Sequence, residues 1–540
     1  MELEVEYKRN AQGPTLHNSN SSDDLLISQS EENNHLLVKI IAKNDITLVK
    51  ATIYNVCKIK DDDVFTLNGF QSWTDSGEKR LKEHPKEKDV RRIPKFIRNA
   101  FALDCYGDKD VYDYKPYLLH GYDIFYIKGS NELFSFNNNY KIAYAIYEIN
   151  KRDKSLNIIS DIQGINLKKD EELVIFDIFL KHSYFEGLEE FKKCFLIKPK
   201  EKIFGYTSWY NYYQNINEEI ILRDLDALDN RFNLFQIDDG YETFVGDWLD
   251  IDKNKFPNGL GEIVNKIHSK NLKAGIWLAP FVAEEKSKLF KENPEYFKRY
   301  SDGSFVKCGG NWSGFYALDL SKIEVKDYIR NCLQYYLDLG FDFFKLDFLY
   351  ASMKGECKGK SRAMMSIESY KLLRDILGDK LILGCGASCF SSYQNFDYLR
   401  VGPDVSLIFD DVWFMRHMHR ERISTKITLQ NTIYRSIFNG HLFLNDPDVF
   451  LLRDTNIKLN KRQKEALITI NALFGSVMMT SDDIALYDED SKEVLARSLE
   501  LFLSAKDVSF KKYKNEIFIS YTLNGETIRF TYHSKKGFIR

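Results

Sequence analysis

A lysine and an aspartate stand two residues apart at the end of an apolar run, Phe343 Phe344 Lys345 Leu346 Asp347 Phe348. Alternate residues of a strand share a face, so Lys345 and Asp347 are expected to point together into one site while their neighbours pack. A carboxylate beside a fixed cation stays ionised, as a nucleophile must. For these six residues alone, the plain alternative is a buried ion pair that only stabilises a sheet. More aspartates close other apolar runs: Asp238 with Asp239, Asp404, and Asp446 with Asp448. Two carboxyl groups flanking one anomeric carbon, about 5 to 5.5 Å apart when configuration is retained, are what cleavage of a glycosidic bond requires. Asp347 and Asp404 suit that task, because they would end the fourth and sixth strands of the set described below. Asp404 follows Gly402 and Pro403 in a tight turn. In a less polar pocket its pKa would rise and it would protonate the leaving oxygen, although locally it reads equally well as a helix N-cap.

Asp238 and Asp239 are adjacent, so within a regular strand only one faces inward, but at a strand end the second can turn in as well. Two such carboxylates can accept hydrogen bonds from neighbouring sugar hydroxyls, and an analogue lacking those hydroxyls would leave buried acceptors unpaired at about 1 to 3 kcal/mol each. Asp-Asp-Gly is also ordinary turn chemistry. Trp209 and Trp277, each at a strand end, offer flat faces for a pyranose ring, though tryptophans more often pack in cores. Arg400, four residues before Asp404, can bind a hydroxyl or orient a carboxylate. Clustered aspartates also suit Mg²⁺ or Ca²⁺, but Lys345 and Arg400 put fixed positive charge where a cation would go, which argues against a metal. None of these strand ends carries a histidine, which argues against zinc. No phosphate-cradling glycine loop, dinucleotide fingerprint or G-x-S-x-G elbow occurs at a strand-to-helix turn.

The elements that must position these groups follow one design, an apolar strand whose last residues turn polar. In order they are Phe204 to Trp209, Leu234 to Asp239, Lys273 to Trp277, Phe343 to Asp347, Leu381 to Cys385, Tyr398 to Asp404 and Leu442 to Asp446, with a weaker eighth from Val477 to Asp482. Amphipathic helical patterns lie between them, at Glu218 to Asn230, Leu260 to Lys270, Val325 to Leu339, Ser366 to Leu377 and Arg462 to Ala472. Alternation of this kind implies parallel βαβ units, and eight repeats suit a central (β/α)₈ TIM barrel, which places its chemistry at the C-terminal ends of the strands.

The first 195 or so residues read as an antiparallel β-sandwich, from short alternating runs such as Leu36 to Ala42, Ile46 to Val56, Asp123 to Lys128, Lys141 to Ile149 and Leu173 to Leu180. Ser19 to Asn34 reads as a loop or hairpin, and the charged run Gly77 to Arg92 as a solvated excursion. After Asp488 a helix leads into alternating strands, Glu516 to Thr522 and Glu526 to His533, expected to form a small C-terminal antiparallel β-domain. The expected division of this multidomain α/β + β chain is therefore 1–195, 196–485 and 486–540.

At 540 residues, with 44% hydrophobic and 14% aromatic residues, the chain can bury a large core. Its net charge of -3 gives no long-range field for nucleic acid or an anionic membrane, and a neutral small molecule is the better partner. Met1 to Glu6 has neither the basic region nor the apolar run of a signal peptide, and no stretch approaches membrane-spanning length, so a cytoplasmic location is expected. The eight cysteines include no CxxC pair, and reduced thiols are expected.

Taken together, the strand-end residues resemble glycoside hydrolase family 36, the bacterial α-galactosidase group. The pieces are Asn68 Gly69 Phe70 Gln71 Ser72 Trp73, Thr207 Ser208 Trp209 Tyr210, Gln236 Ile237 Asp238 Asp239 Gly240, Gly246 Asp247 Trp248 and Gly275 Ile276 Trp277 Leu278 Ala279 Pro280. They continue with Lys345 Leu346 Asp347 Phe348, Gly384 Cys385 Gly386, Arg400 Val401 Gly402 Pro403 Asp404 and Asn445 Asp446 Pro447 Asp448, in family order from about residue 65 to 483. The resemblance implies a retaining, exo-acting α-galactosidase acting on oligosaccharides such as melibiose or raffinose. It implies Asp347 as nucleophile, forming a β-galactosyl-enzyme, and Asp404 as general acid and then base. It further implies that Asp238 and Asp239 bind the 4- and 6-hydroxyls, that Trp277, Lys345 and Cys385 line the sugar pocket, and that Trp209 forms another wall. Arg400 would help to place the 2-hydroxyl, Trp73 would reach over the barrel mouth, and no metal or cofactor is implied. One departure bears on substrate: Gly-Cys-Gly is followed by Ala387 Ser388 Cys389 Phe390, where the family has a small residue, proline and a bulky apolar residue. An altered loop there could admit an N-acetyl group, so α-N-acetylgalactosaminidase, an α-galactosyl transferase and, further off, a barrel that only binds sugar stay open, as does homo-oligomerisation.

Overall fold

The computed structural model describes residues 2–10, 13–82, 93–100, 102–103, 105–412, 415–417 and 419–540. Its centre is a curled sheet of parallel strands, Ile203–Thr207, Leu234–Ile237, Lys273–Leu278, Phe343–Leu346, Leu381–Gly384, Tyr398–Arg400, Leu444–Asp446 and Val477–Thr480. The first seven are neighbours in chain order and the eighth pairs back onto the first, Ile203 opposite Val477. A two-residue strand, Val449–Phe450, follows the seventh after Pro447 and Asp448 and pairs with the eighth. The chain itself thus joins the two ends of the strand path. Covered on both faces, these strands read as unbroken apolar runs rather than alternating ones, which is why the sequence locates them.

The helices between strands begin where side chains can satisfy their first amides. Asn217, Ser361 and Ser424 cap Glu218–Ala227, Arg362–Leu377 and Thr425–Tyr434, and Asn460 with Gln463 forms a capping box on Lys461–Phe474. Two features differ from expectation. The sixth strand stops at Arg400, because Gly402 and Pro403 cannot continue its ladder, so Asp404 sits on a loop. An excursion after the third strand builds a small antiparallel sheet, Val282–Glu284, Phe315–Ala317 and Lys307–Gly309, too short to leave a period in the sequence.

Two seven-stranded antiparallel sheets precede the parallel one. Val5, Leu48, Ile53, Tyr147 and Ile158 of the first share a core with Val38, Ile40, Phe125, Ile127 and Ile178 of the second. Within Ser19 to Asn34, Leu25–Glu32 makes a hairpin with His35–Ala42 across Asn33 and Asn34, both at positive φ as a tight hairpin turn requires. The solvated excursion expected from Gly77 is corrected at its start: Gly77–Lys79 is a strand paired with Val64–Leu67, and Glu78 is buried with Lys128 at 2.7 Å. Residues 83–92 of that run lie outside the described residues. The other face of the second sheet, with Phe134 and Phe136, joins one continuous core with the parallel strands and with Phe502, Ile517 and Ile519 near the C-terminus. There a helix, Glu489–Ser504, leads to a four-stranded antiparallel sheet, Lys506–Tyr513, Glu516–Leu523, Glu526–His533 and Phe538–Ile539. Among the described residues no helix is long and apolar enough to cross a membrane.

Candidate active site

At the C-terminal ends of the parallel strands the expected residues converge into two neighbouring polar clusters. Asp347 is the residue after the fourth strand. Its amide donates to Leu278 O at 2.8 Å, its Oδ2 accepts from the Trp277 indole at 3.1 Å, and its Oδ1 accepts from the Phe348 amide at 2.8 Å. Phe348 has φ 53 and ψ 33, so a bulky residue in the left-handed region turns the carboxylate away from the line of its strand. The plain alternative, a Lys345–Asp347 ion pair, is not what forms, although the Lys345 charge still acts on Asp347. The Lys345 ammonium lies on Asp238 Oδ2 at 2.8 Å, because Asp347 falls past the last strand residue and the alternation no longer governs it. Burial pushes Asp347 up to about 6; the Lys345 charge and the Trp277 and Phe348 donors oppose this, and the nearby Asp404 charge adds to it. A carboxylate expected to be held firmly ionised is instead close to titrating.

Asp238 and Asp239 leave the second strand in different directions, both buried. Asp238 Oδ2 accepts from Lys345, from Gln236 Nε2 at 2.7 Å and from Thr207 Oγ1 at 3.1 Å. Asp239 Oδ2 accepts from the Trp312 indole at 2.9 Å, and Gln214 Nε2 donates to both of its oxygens at 3.2 Å. Glu242 also hydrogen-bonds Asp239. Burial and then the Asp239 charge raise the Glu242 pKa well above the carboxylate range. Burial likewise raises Asp239, against the hydrogen bonds from Glu242, Trp312 and Gln214.

Asp404 sits with about a third of its side chain exposed, 35%, and its Oδ1 accepts from Arg400 Nη1 at 3.0 Å. The less polar pocket envisaged for it is thus a guanidinium contact instead, because Arg400 ends the short sixth strand directly beneath the loop. Arg400 also donates from Nε to Asp446 at 2.8 Å and its Nη2 lies 2.9 Å from Asp448, so it orients several carboxylates at once. Cys385, at the end of the fifth strand, is buried among the charges of Asp347, Arg400 and Lys345, and burial holds its thiol protonated.

Aromatic rings wall the Asp347 cluster. Trp277 packs edge-on against Trp248 at 5.8 Å and tilted on Trp312 at 6.1 Å. Trp73, from the loop after Val64–Leu67, crosses over to stand edge-on to Phe348 at 5.3 Å and Tyr350 at 5.7 Å. That loop is clasped to the fifth-strand loop by Ser72, whose amide donates to Ala387 O and whose hydroxyl accepts from the Gly386 amide, both at 2.9 Å. Trp209, half-buried, stacks edge-on with Tyr213 at 5.1 Å, while its neighbour Tyr210 reaches Asp448. Cys389 and Phe390 turn inward, Phe390 packing on Phe195 at 5.4 Å and Phe191 at 6.3 Å.

Trp312, Glu242, Gln214 and Tyr210 escaped the sequence reading. Trp312 sits on an irregular loop of the small antiparallel sheet, where Ser313 is held by Glu284 and Asn311 by the Tyr106 hydroxyl, and no period marks such a loop. Glu242 lies five residues beyond Ile237, the last residue of the second strand, with only the run of acids from Asp238 as a signal.

Residues 196–371 match the Melibiase family model. Over 150 residues, 26% of this chain, the sequence is 30% identical to α-galactosidase Mel36A of Lactobacillus acidophilus, and over 211 residues, 37% of this chain, it is 26% identical to an Escherichia coli α-galactosidase. The chain spans only 20% and 29% of the length of these curated relatives. Among solved structures, TtGalA from Thermus thermophilus aligns over 96% of this chain and 97% of its own with a TM-score of 0.72 at 22% identity. AgaA from Geobacillus stearothermophilus aligns over 98% and 81% with a TM-score of 0.63 at 11% identity, so both speak for the fold. Residues 196–371 are thus similar in sequence to the Melibiase family and to curated α-galactosidases, and the whole chain shares the fold of solved GH36 α-galactosidases.

Proposed function

We propose that the protein is a retaining exo-α-galactosidase, in which the curled parallel sheet acts as a (β/α)₈ barrel between an N-terminal β-sandwich at 1–195 and a C-terminal β-domain at 486–540. The observation that carries the reading is the pair Asp347 and Asp404, close enough for one charge to act on the other, with Trp277 bound to Asp347 and Trp312 to the neighbouring Asp239. TtGalA is described in complex with p-nitrophenyl α-D-galactopyranoside and with stachyose, and an AgaA variant with raffinose, which supports a small galactoside as substrate.

In this reading Asp347 attacks the anomeric carbon while Asp404 gives its proton to the departing oxygen. A bond forms between the Asp347 carboxylate and the sugar, and the glycosidic bond breaks. Asp404, now ionised beside Arg400, then takes a proton from water, which attacks the same carbon and frees Asp347 with the starting configuration restored. Asp238 and Asp239 accept from hydroxyls on the far side of the ring, where a missing or inverted hydroxyl leaves a buried acceptor unpaired. Lys345, 2.8 Å from Asp238 Oδ2, fixes the position of that carboxylate for the role.

Release of 4-nitrophenol from its α-galactoside, compared with the α-N-acetylgalactosaminide, tests the reading directly. The galactoside is expected to be the better substrate, since Cys389 and Phe390, where the loop departs from the family, pack into the core rather than opening room beside the sugar. Inactivity on both would leave only sugar binding. With Asp347→Gly, added azide should restore turnover and yield the β-galactosyl azide; the α-azide would assign Asp347 to the acid/base role instead.

A further inference from the structure

Three carboxylates crowd one guanidinium where the sixth and seventh parallel strands end. Arg400 meets Asp404 at 3.0 Å, Asp446 at 2.8 Å and Asp448 at 2.9 Å. One positive charge cannot neutralise three negative ones at this range, so the group is short of positive charge and a bound proton relieves part of the excess. Burial drives Asp448 up to about 7, with Arg400 opposing and the charges of Asp404 and Asp446 adding to the rise, so near neutrality a proton resides in this group.

Asp448 is fully buried, and at φ 72 it occupies a backbone region that costs a residue with a Cβ about 1 kcal/mol or more. What it gains there is a grip on the loop of Asp404. Its Oδ2 accepts from the amide of Val405, the very next residue, at 2.7 Å, and from the Tyr210 hydroxyl. Its own amide is fixed by Asp446 Oδ1 at 2.8 Å. The carboxylate therefore holds Asp404 at two points, through the backbone beside it and through the shared guanidinium. The other ionisable groups facing this cluster are Tyr210 and Tyr213 from the first-strand loop, Asp347 just beyond the fourth strand, Cys385 from the fifth strand and Lys345 from the fourth, the last committed to Asp238.

Building on the galactosidase reading, we propose that Asp448 is a positioning residue that sets both the orientation and the proton occupancy of the acid/base carboxyl Asp404. A purely architectural ion pair would need neither the contact with Val405 nor the surplus of negative charge.

Asp448→Asn tests this, because it keeps the shape and the carbonyl acceptor while removing the charge. The expected result is a split in kcat/KM. Melibiose, whose departing sugar needs a proton, loses about 100-fold, and 4-nitrophenyl α-galactoside, whose leaving group does not, loses less than about 5-fold. The alkaline limb of the kcat/KM profile is expected to move to lower pH by about one unit, since a guanidinium shared by fewer carboxylates favours the ionised acid more strongly. Tyr210→Phe, which strips one donor from Asp448, should give a smaller split in the same direction. If Asp448→Asn does not fold, Tyr210→Phe carries the test on the same readouts. Equal losses on both substrates with an unmoved limb, in whichever variant folds, would overturn the proposal. Wild-type turnover of 4-nitrophenyl α-galactoside separates the two ideas: a silent wild type removes the galactosidase reading and this inference with it, whereas an active wild type without the split removes the inference alone.

Discussion

At Asp347 burial outweighs the Lys345 charge and the Trp277 and Phe348 donors, and the outcome is measurable. A nucleophile must be ionised, and burial lifts this carboxyl to about 6 from an ordinary 3.8. Activity on an α-galactoside should therefore rise with pH through an acid limb of kcat/KM near 6; a limb near 4 would mean that the Lys345 charge controls Asp347 after all. The same shift has a sign for stability. A carboxyl whose folded-state pKa is raised contributes stability that is fully present below its unfolded value and lost as pH rises through about 6. Asp347→Asn is accordingly expected to lose turnover by about 10³-fold or more while melting at a higher temperature than the wild type at pH 8, and at nearly the same temperature at pH 4. On the other flank, Trp312→Phe removes one hydrogen bond to the Asp239 carboxylate, worth about 1.5 to 3 kcal/mol. Its KM for galactosides should rise about 10-fold or more, with kcat changed much less.

Loops, more than strands, decide how these side chains are presented. Strand four delivers Asp347, but the left-handed turn at Phe348 aims it, and Trp312, Phe315 and Tyr350 packed around Phe348 hold that turn in place. Gly386 on the fifth-strand loop also needs its residue type. Its φ is 63, and an added Cβ would stand 3.2 Å from the Trp73 and Tyr350 rings. Gly386→Ala should cost about 1 to 2 kcal/mol and displace Trp73, raising KM for oligosaccharides. Thermal melting together with substrate titration checks both halves, and an unchanged KM would show that Trp73 does not border the sugar. The Tyr398–Arg400 strand shows why element boundaries were hard to read: the sequence run from Tyr398 to Asp404 looks continuous, yet the ladder ends four residues early at Gly402 and Pro403.

The whole molecule is stitched by contacts that no single segment contains. Arg435, fully buried, donates to Asn68 Oδ1 at 3.0 Å, to the carbonyls of Gly69, Gln71 and Ser72, and to Val401 O at 2.9 Å. It thereby ties the Trp73 loop to the sixth parallel strand. Arg435→Met would leave those buried acceptors unsatisfied, and a loss of about 3 kcal/mol is expected, read as a lower melting temperature and faster amide exchange across residues 68–76. Exchange that quickened equally everywhere would argue against a local clasp. Phe510 of the C-terminal sheet packs on Tyr434 at 5.3 Å, and Lys512 donates to Glu78 O at 2.7 Å, so the last segment braces the same junction.

Eight of the nine parallel strands among the described residues, five of the helices between them and every aspartate of the two clusters were legible in the linear chain, whereas the two-residue strand Val449–Phe450 was not. Burial on both faces forces apolar runs, and polar residues end them wherever a site lies. The partners were not legible. That Lys345 serves Asp238, that Arg400 is shared by Asp404, Asp446 and Asp448, and that Trp312 and Glu242 hold Asp239 all depend on loops whose paths follow no period. Those pairings join residues up to 107 positions apart in the chain, and burial decides which of them hold charge. Local spacing encodes which face a side chain takes within an element, whereas the field it meets is set by distant groups that folding brings within a few ångströms.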